Sequence, residues 1–185
     1  MVGYLKSIWF LFRHLSIVSP KFVYGRNLKM GYFNVIRGAV MVGSNCTIEN
    51  FVLLKDSTVM GNDCYVDSYV LSSGKCTIGN RVVMRYRTVI ARNVVVEDDV
   101  FFTAGVKTIY LDHKRSPTKK QLVIRKGCYF GDNCIIMGGI TIEENCIVGA
   151  GAFVNKPTLS NGVYVGTPAR RMRDVEENEL DSMRN

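Results

Sequence analysis

Only two of the 185 residues are histidines, His14 and His113. A neutral imidazole is the side chain best suited to take a proton near pH 7. His14 sits in an apolar run and reads as structural. His113 sits in the polar, basic stretch 108–123, where solvent and a small molecule can reach it, and it is the candidate general base. Its tautomer has to be held by something. A backbone carbonyl and Asp112 are both open, because adjacent side chains of extended backbone point opposite ways. Two sets of basic residues could meet an anion: Arg85 and Arg87 before this stretch, and Lys156, Arg170, Arg171 and Arg173 after it. The bland alternatives are ion ladders for the first set and a solvated helix face for the second. The six cysteines include no C-x-x-C pair, which disfavours zinc.

These residues need a scaffold, and the chain supplies one by repetition. In 124–158 and in the stretch from Tyr24 to Phe102, apolar residues recur every six positions, among them Ile36, Val42, Ile48, Leu54, Val66, Ile78, Ile90, Ile124, Phe130, Ile136, Ile142, Val148 and Val154. The fifth place of each hexad is mostly small: Cys46, Cys64, Cys76, Cys128, Cys134 and Cys146 all fall there. Only Ser72 breaks the apolar rule at the first position between Tyr24 and Phe102. A six-residue period fits neither a helix nor an alternating strand. It fits short strands joined by tight corners in a parallel β-helix, with one apolar and one small residue per side filling the interior. Cysteine at the small place behaves as a small hydrophobe, so the six read as reduced core residues of a cytoplasmic protein. Glycine or alanine is frequent at the second place (Gly25, Gly31, Gly43, Gly61, Gly79, Ala91), where it eases corners. With three hexads per coil, residues 18 apart stack, giving the charged columns Asp63–Arg81–Asp99 and Asp67–Arg85.

From Phe102 to Ile124 the frame slips, and residues 108–123 read as an extruded loop, the usual place for function. Before the repeat, Tyr4, Leu5, Ile8, Trp9, Leu11, Phe12 and Leu15 have helical spacing. They predict a helix packed on the solenoid end or, alternatively, a membrane-surface helix inserting Trp9 and Phe10 with Lys6 and Arg13 near headgroups. The start lacks the cleavage site of a signal peptide and is too short to span a bilayer. At the other end, Thr167 as cap and Pro168 at the first position predict a C-terminal helix. The expected organisation is 1–23 helical, 24–166 β-helix with the loop at 108–123, and 167–185 helical. Apolar content of 47% and net charge +8 describe a globular protein whose partner is anionic, and no nucleic-acid motif accompanies the charge.

The hexads, together with Asp112-His113 and the closing Gly166-Thr-Pro-Ala169, resemble the hexapeptide-repeat acyltransferases, and specifically their sugar O-acetyltransferases. The resemblance implies an all-β, left-handed parallel β-helix that trimerises, with active sites between subunits. It also implies acetyl-CoA as co-substrate, a sugar or nucleotide-sugar acceptor and no metal. His113 would be the base that deprotonates a hydroxyl, oriented by Asp112 or a backbone carbonyl. Gly139, Gly149, Ala150 and Gly151 would bond the pantetheine arm, and Lys156, Arg170 and Arg171 would meet its phosphates. Where galactoside-type members carry an acceptor-binding Asn, this chain has Met84-Arg85-Tyr86-Arg87, so Arg85 and Arg87 imply a different, anionic acceptor, such as a polysaccharide precursor. Gly166-Thr167-Pro168 stands for the family's Gly-Asn-Pro, and Asn155-Lys156 for its Thr-Lys. The rivals are a sugar-nucleotide N-acetyltransferase acting on an amine, and a non-enzymatic scaffold. A γ-class carbonic anhydrase would need three histidines per metal, and a serine acetyltransferase a long helical N-terminal domain; neither is expected.

Overall fold

A computed structural model describes residues 2–110 and 120–184. Residues 112 and 113 lie outside the described residues. Three parallel sheets wrap one core, of eight, seven and nine strands among the described residues. The first sheet runs from Ile17–Val18 to Phe153–Val154, the second from Val23–Tyr24 to Thr141–Ile142, and the third from Lys29–Met30 to Gly162–Val165 and Arg170–Asp174. Each strand pairs with the one a coil away, as in Leu53↔Leu71↔Val89. This is the expected parallel β-helix. It starts one hexad earlier than expected: Val18 and Phe22 fill the first and fifth places of an additional hexad and are buried.

Inward positions are those of the hexad rule. Ile36, Ile48, Leu54, Ile78 and Ile136 are almost fully buried. All six cysteines are buried and free, and burial pushes the Cys134 thiol up to about 12. Several thiols donate to a carbonyl of the next coil, as Cys64 does to Gly79 at 3.2 Å. The polar exception, Ser72, is satisfied by Thr58 Oγ1 at 2.7 Å and Cys76 Sγ at 2.9 Å.

The corners work differently from expectation. The left-handed backbone sits mostly at the fourth place of each hexad, at Asn45 (φ 58°), Phe51 (58°), Asp63 (58°), Tyr69 (61°), Arg87 (60°) and Gly105 (71°). The second-place glycines instead permit neighbouring coils to touch: a Cβ on Gly61 would lie 2.7 Å from Gly79 O.

Between Lys107–Thr108 and Leu122–Ile124 the pairing offset lengthens, so that Val95 faces Val123. The described strands on either side keep one register, Lys107 facing Ile135 and Val96 facing Ile124.

Both ends correct the expected arrangement. Helix α1 (Val2–His14) caps the coil, but not through its apolar stripe. Phe10 packs on Phe22 and Tyr24, and the Lys6 ammonium donates to Phe22 O at 3.3 Å. Tyr4, Leu5, Ile8, Trp9, Leu11, Phe12 and Leu15 face outward. At the C-terminus, 167–174 is not helical. The Thr167–Pro168 peptide is cis, and Arg170–Asp174 returns antiparallel on Gly162–Val165, which offers an open edge of backbone donors and acceptors. Only α2 (Glu179–Arg184) is helical.

Candidate active site

The strand Lys107–Thr108, the last before Asp112 and His113 in the sequence, floors a cleft of about 470 Å³ lined by Tyr69, Leu71, Tyr86, Arg87, Val89, Ala104, Gly105, Lys107 and Asn133. Leu71, Val89 and Lys107 are outward residues of adjacent strands of the first sheet. The others come from the corner where the chain passes from the third sheet to the first. Gly105 is required there by its left-handed backbone, and because a Cβ would collide with the Asn133 side chain.

The wall of the cleft ends an exposed ladder. Phe33, Phe51 and Tyr69 stack at 5.1 and 5.0 Å, and Tyr86 meets Tyr69 edge-on at 5.4 Å. Aromatic residues in left-handed backbone cost about 1–3 kcal/mol each, so this column persists against a local penalty that stacking of about 0.5–1.5 kcal/mol per pair only partly offsets.

Arg87 and Lys107 have no carboxylate partner among the described residues, in contrast to most arginines nearby. Arg81 is held by Asp99 at 2.6 Å. Arg85, expected to act with Arg87, instead lies over the Tyr65 ring and 3.8 Å from Asp67. It therefore forms the rung expected of the Asp67–Arg85 column and does not line the cleft. In the other column Arg81 bonds Asp99, while Asp63 accepts from Asn45 Nδ2 at 3.0 Å. Aromatic faces, two uncommitted cations and an amide make the cleft suitable for a ring bearing negative charge.

In the coils after Leu122–Ile124 the expected cofactor residues flank the first sheet. Gly139 (φ 75°) and Lys156 are at the corner leading out of it, and Gly149, Ala150 and Gly151 (φ 66°) at the corner leading in. Gly151 has open space where a Cβ would be. Asn155 Oδ1 is shut from solvent without a hydrogen-bond partner.

The terminal arginines divide. Arg170 is exposed, with one guanidinium bond to Ala169 O at 2.8 Å. Arg171 pairs with Asp174 and bonds Ser160 O and Asn161 O. Arg173 grips Glu179 at 2.6 Å, and with the Glu176 N–H it holds the Glu179 carboxyl down to about 2. These two therefore fasten the C-terminal hairpin and α2. A separate hollow under α2 is lined by Glu176, Glu177 and Asp181, the wrong charge for an anion. Among the described residues no group of three or more His, Cys, Asp or Glu could hold a metal ion, and no helix is long and apolar enough to cross a membrane.

The cleft's aromatic wall and Lys107 were missed in the sequence. The signal available was the 18-residue spacing of Phe33, Phe51 and Tyr69 on one stacking column.

The repeats point to one class of proteins: residues 122–156 match the bacterial transferase hexapeptide (six repeats) family. Galactoside O-acetyltransferase of Escherichia coli (strain K12) is 25% identical over 100 residues, 53% of this chain and 49% of that protein. A putative serine acetyltransferase of Schizosaccharomyces pombe is 33% identical over 89 residues, 48% of this chain and 32% of that protein. The chain thus spans half or less of the length of these relatives. Among solved structures, a mutant of AntD, an N-acyltransferase from Bacillus cereus in complex with dTDP and coenzyme A, shares the fold. Its TM-score is 0.63 at 17% identity, over 100% of this chain and 95% of that one.

Proposed function

We propose that this protein transfers an acetyl group from acetyl-CoA to a hydroxyl of an anionic sugar or polysaccharide precursor, with His113 as general base. The observation that carries the reading is the cleft that sets aromatic walls and Arg87 beside Lys107, which lies on the last strand before His113 in the sequence. The similarity to galactoside O-acetyltransferase, and the coenzyme A bound by AntD, support the donor and the reaction class.

In this reading His113 takes the proton of the acceptor hydroxyl as its oxygen attacks the thioester carbonyl. The tetrahedral intermediate collapses, the C–S bond breaks, and the imidazolium returns the proton to the departing thiolate. Asp112 or a backbone carbonyl orients the ring. Arg87 and Lys107 bind the acceptor's negative group. The donor fits the first sheet's late corners. Gly151 has open space where a Cβ would be, beside the exposed Ala150 and near Gly139 and Gly149, the unpartnered Asn155 Oδ1 suits an amide donor, and Lys156 and Arg170 are exposed toward phosphates. Arg171 would have to leave Asp174 to join them.

A homotrimer with sites between subunits is part of the proposal. Val35, Leu53, Leu71 and Val89, and beyond Lys107 also Ile135 and Phe153, present half-buried apolar side chains along the first sheet's outer face, and such a surface is normally covered. Six buried free thiols fit a reducing compartment such as the cytoplasm.

The test is a free-thiol release assay with acetyl-CoA across uronic acids, phosphorylated sugars and nucleotide-sugars, beside neutral galactosides and amino sugars. Release with an anionic hydroxyl acceptor is expected. Release with amines alone would replace the reading by N-acetylation. No release with any acceptor class would overturn acetyl transfer.

A further inference from the structure

We propose that the outward face of α1 docks this protein on an anionic phospholipid bilayer. A helix that caps a solenoid should turn its apolar stripe inward, because burial of that stripe is what holds it there. Here the arrangement is reversed. The inward side contributes Phe10, Lys6, Ser7 and His14, while Tyr4, Leu5, Ile8, Trp9, Phe12 and Leu15 are exposed, Phe12 at 81% and Leu5 at 63%. The start of the helix is seated closely, since a Cβ on Gly3 would lie 2.7 Å from Pro20 O. The inverted face is therefore part of how the helix is placed on the coil.

Charge selects the occupant. Glu49 is the first carboxylate side chain in the sequence. The 48 residues before it carry Lys6, Arg13, Lys21, Arg26, Lys29 and Arg37 and no Asp or Glu, so they hold six of the eight net positive charges. Lys6 is committed to the coil and lies over the Tyr24 ring at 5.0 Å. Arg13 lies 5.4 Å from the Trp9 ring, and Lys21, Arg26 and Lys29 are exposed on the first coil that α1 caps. An apolar face rimmed by cations, without a single competing carboxylate, is the composition of an interfacial helix on an anionic surface. A second copy of the same face would bring like charges together. Docked this way, the solenoid stands with its first coil at the headgroups. The candidate cleft is then three coil steps from Phe33 to Arg87, roughly 15 Å along the axis at the strand spacing of about 4.8 Å.

Trp9 is the chain's one tryptophan, so its emission reports docking directly. The full chain is mixed with phosphatidylcholine vesicles with and without phosphatidylglycerol, with no acyl donor or acceptor present. A blue shift of Trp9 and co-flotation with the phosphatidylglycerol vesicles are expected, at least about tenfold tighter than with phosphatidylcholine alone and weakened by salt. Leu5→Glu with Phe12→Glu, at exposed positions, should abolish binding without changing the circular dichroism melt. Lys21→Ser with Arg26→Ser and Lys29→Ser should weaken it selectively on anionic vesicles. Equal binding to both vesicle types would overturn the anionic assignment. A blue shift without vesicles, lost on dilution and in the double variant, would make a second copy the occupant. Neither a shift nor flotation would remove the proposal. Each result stands apart from the acetyl-transfer assay.

Discussion

Two corners of the same solenoid adopt the same left-handed backbone at the same spacing and put it to different uses. Between the second and third sheets the column is Asn27, Asn45, Asp63, Arg81 and Asp99. Each amide or guanidinium there can bond the residue one coil on, as Asn45 Nδ2 does to Asp63 at 3.0 Å and Arg81 does to Asp99 at 2.6 Å. Asn and Asp tolerate positive φ, so this corner is locally favourable and electrostatically closed. Between the third and first sheets the column is Phe33, Phe51, Tyr69, Arg87 and Gly105. Here the side chains suit the backbone poorly, stay exposed, and give way at Arg87 and Gly105 to an open, cationic cleft. A repeat that hydrogen-bonds from coil to coil at Asn27–Asn45, Asn45–Asp63 and Arg81–Asp99 on one edge, and leaves the other edge to exposed aromatic and cationic side chains, marks that other edge as the working one.

The largest effect should come from breaking the closed corner. Gly61→Val forces a side chain into the backbone of Gly79 and should cost about 3 kcal/mol or more, lowering Tm by roughly 6–12 °C for a chain of this size. Gly151→Ala, which meets no neighbour, should cost only about 1–2 kcal/mol for its left-handed backbone. Differential scanning calorimetry compares the two, and equal losses would deny that coil contact is what requires glycine at the second place.

Next come the arginines of the two corners. Arg87→Ala should raise the KM of an anionic acceptor by about 10–100-fold, the loss of one charge-assisted contact of about 1.5–3 kcal/mol, with Tm unchanged. Arg81→Ala should leave kinetics untouched and shift stability by at most about 1 kcal/mol, since its pair is exposed. If the two exchange behaviour, the open corner is not the acceptor side.

The smallest effect concerns α2. Because Arg173 and the Glu176 N–H lower the Glu179 carboxyl to about 2, the contact's contribution is complete above the ordinary glutamate pKa of about 4.3. It declines as pH falls from there toward 2. Glu179→Gln should remove that acid dependence from hydrogen exchange in 179–184, and its persistence in the variant would assign the dependence to other carboxylates.

The repeat was legible because burial at the first and fifth places leaves a period that neither helix nor plain strand imitates. Residues whose job is set by a partner distant in sequence were not. Arg171 and Arg173 look like phosphate ligands until Arg170–Asp174 is seen folding back as a strand. Phe10, expected to insert in a membrane beside Trp9, is instead the residue that the coil end buries against Phe22 and Tyr24. The first coil was hidden because Val18 and Phe22 flank Ser19-Pro20, which reads as a break. His113 is proposed from its type and context in the sequence and lies outside the described residues.

The central measurement is the turnover of His113→Ala on a confirmed acceptor, followed by thiol release across pH. The wild-type kcat/KM should rise with pH through a group near 6–7, as an imidazole that must be neutral loses its proton. The variant should lose about 10²–10⁴-fold in turnover and that pH dependence, with Tm and acetyl-CoA affinity unchanged. Wild-type turnover in His113→Ala would contradict base catalysis by His113 and leave an amine acceptor as the chemistry of the cleft.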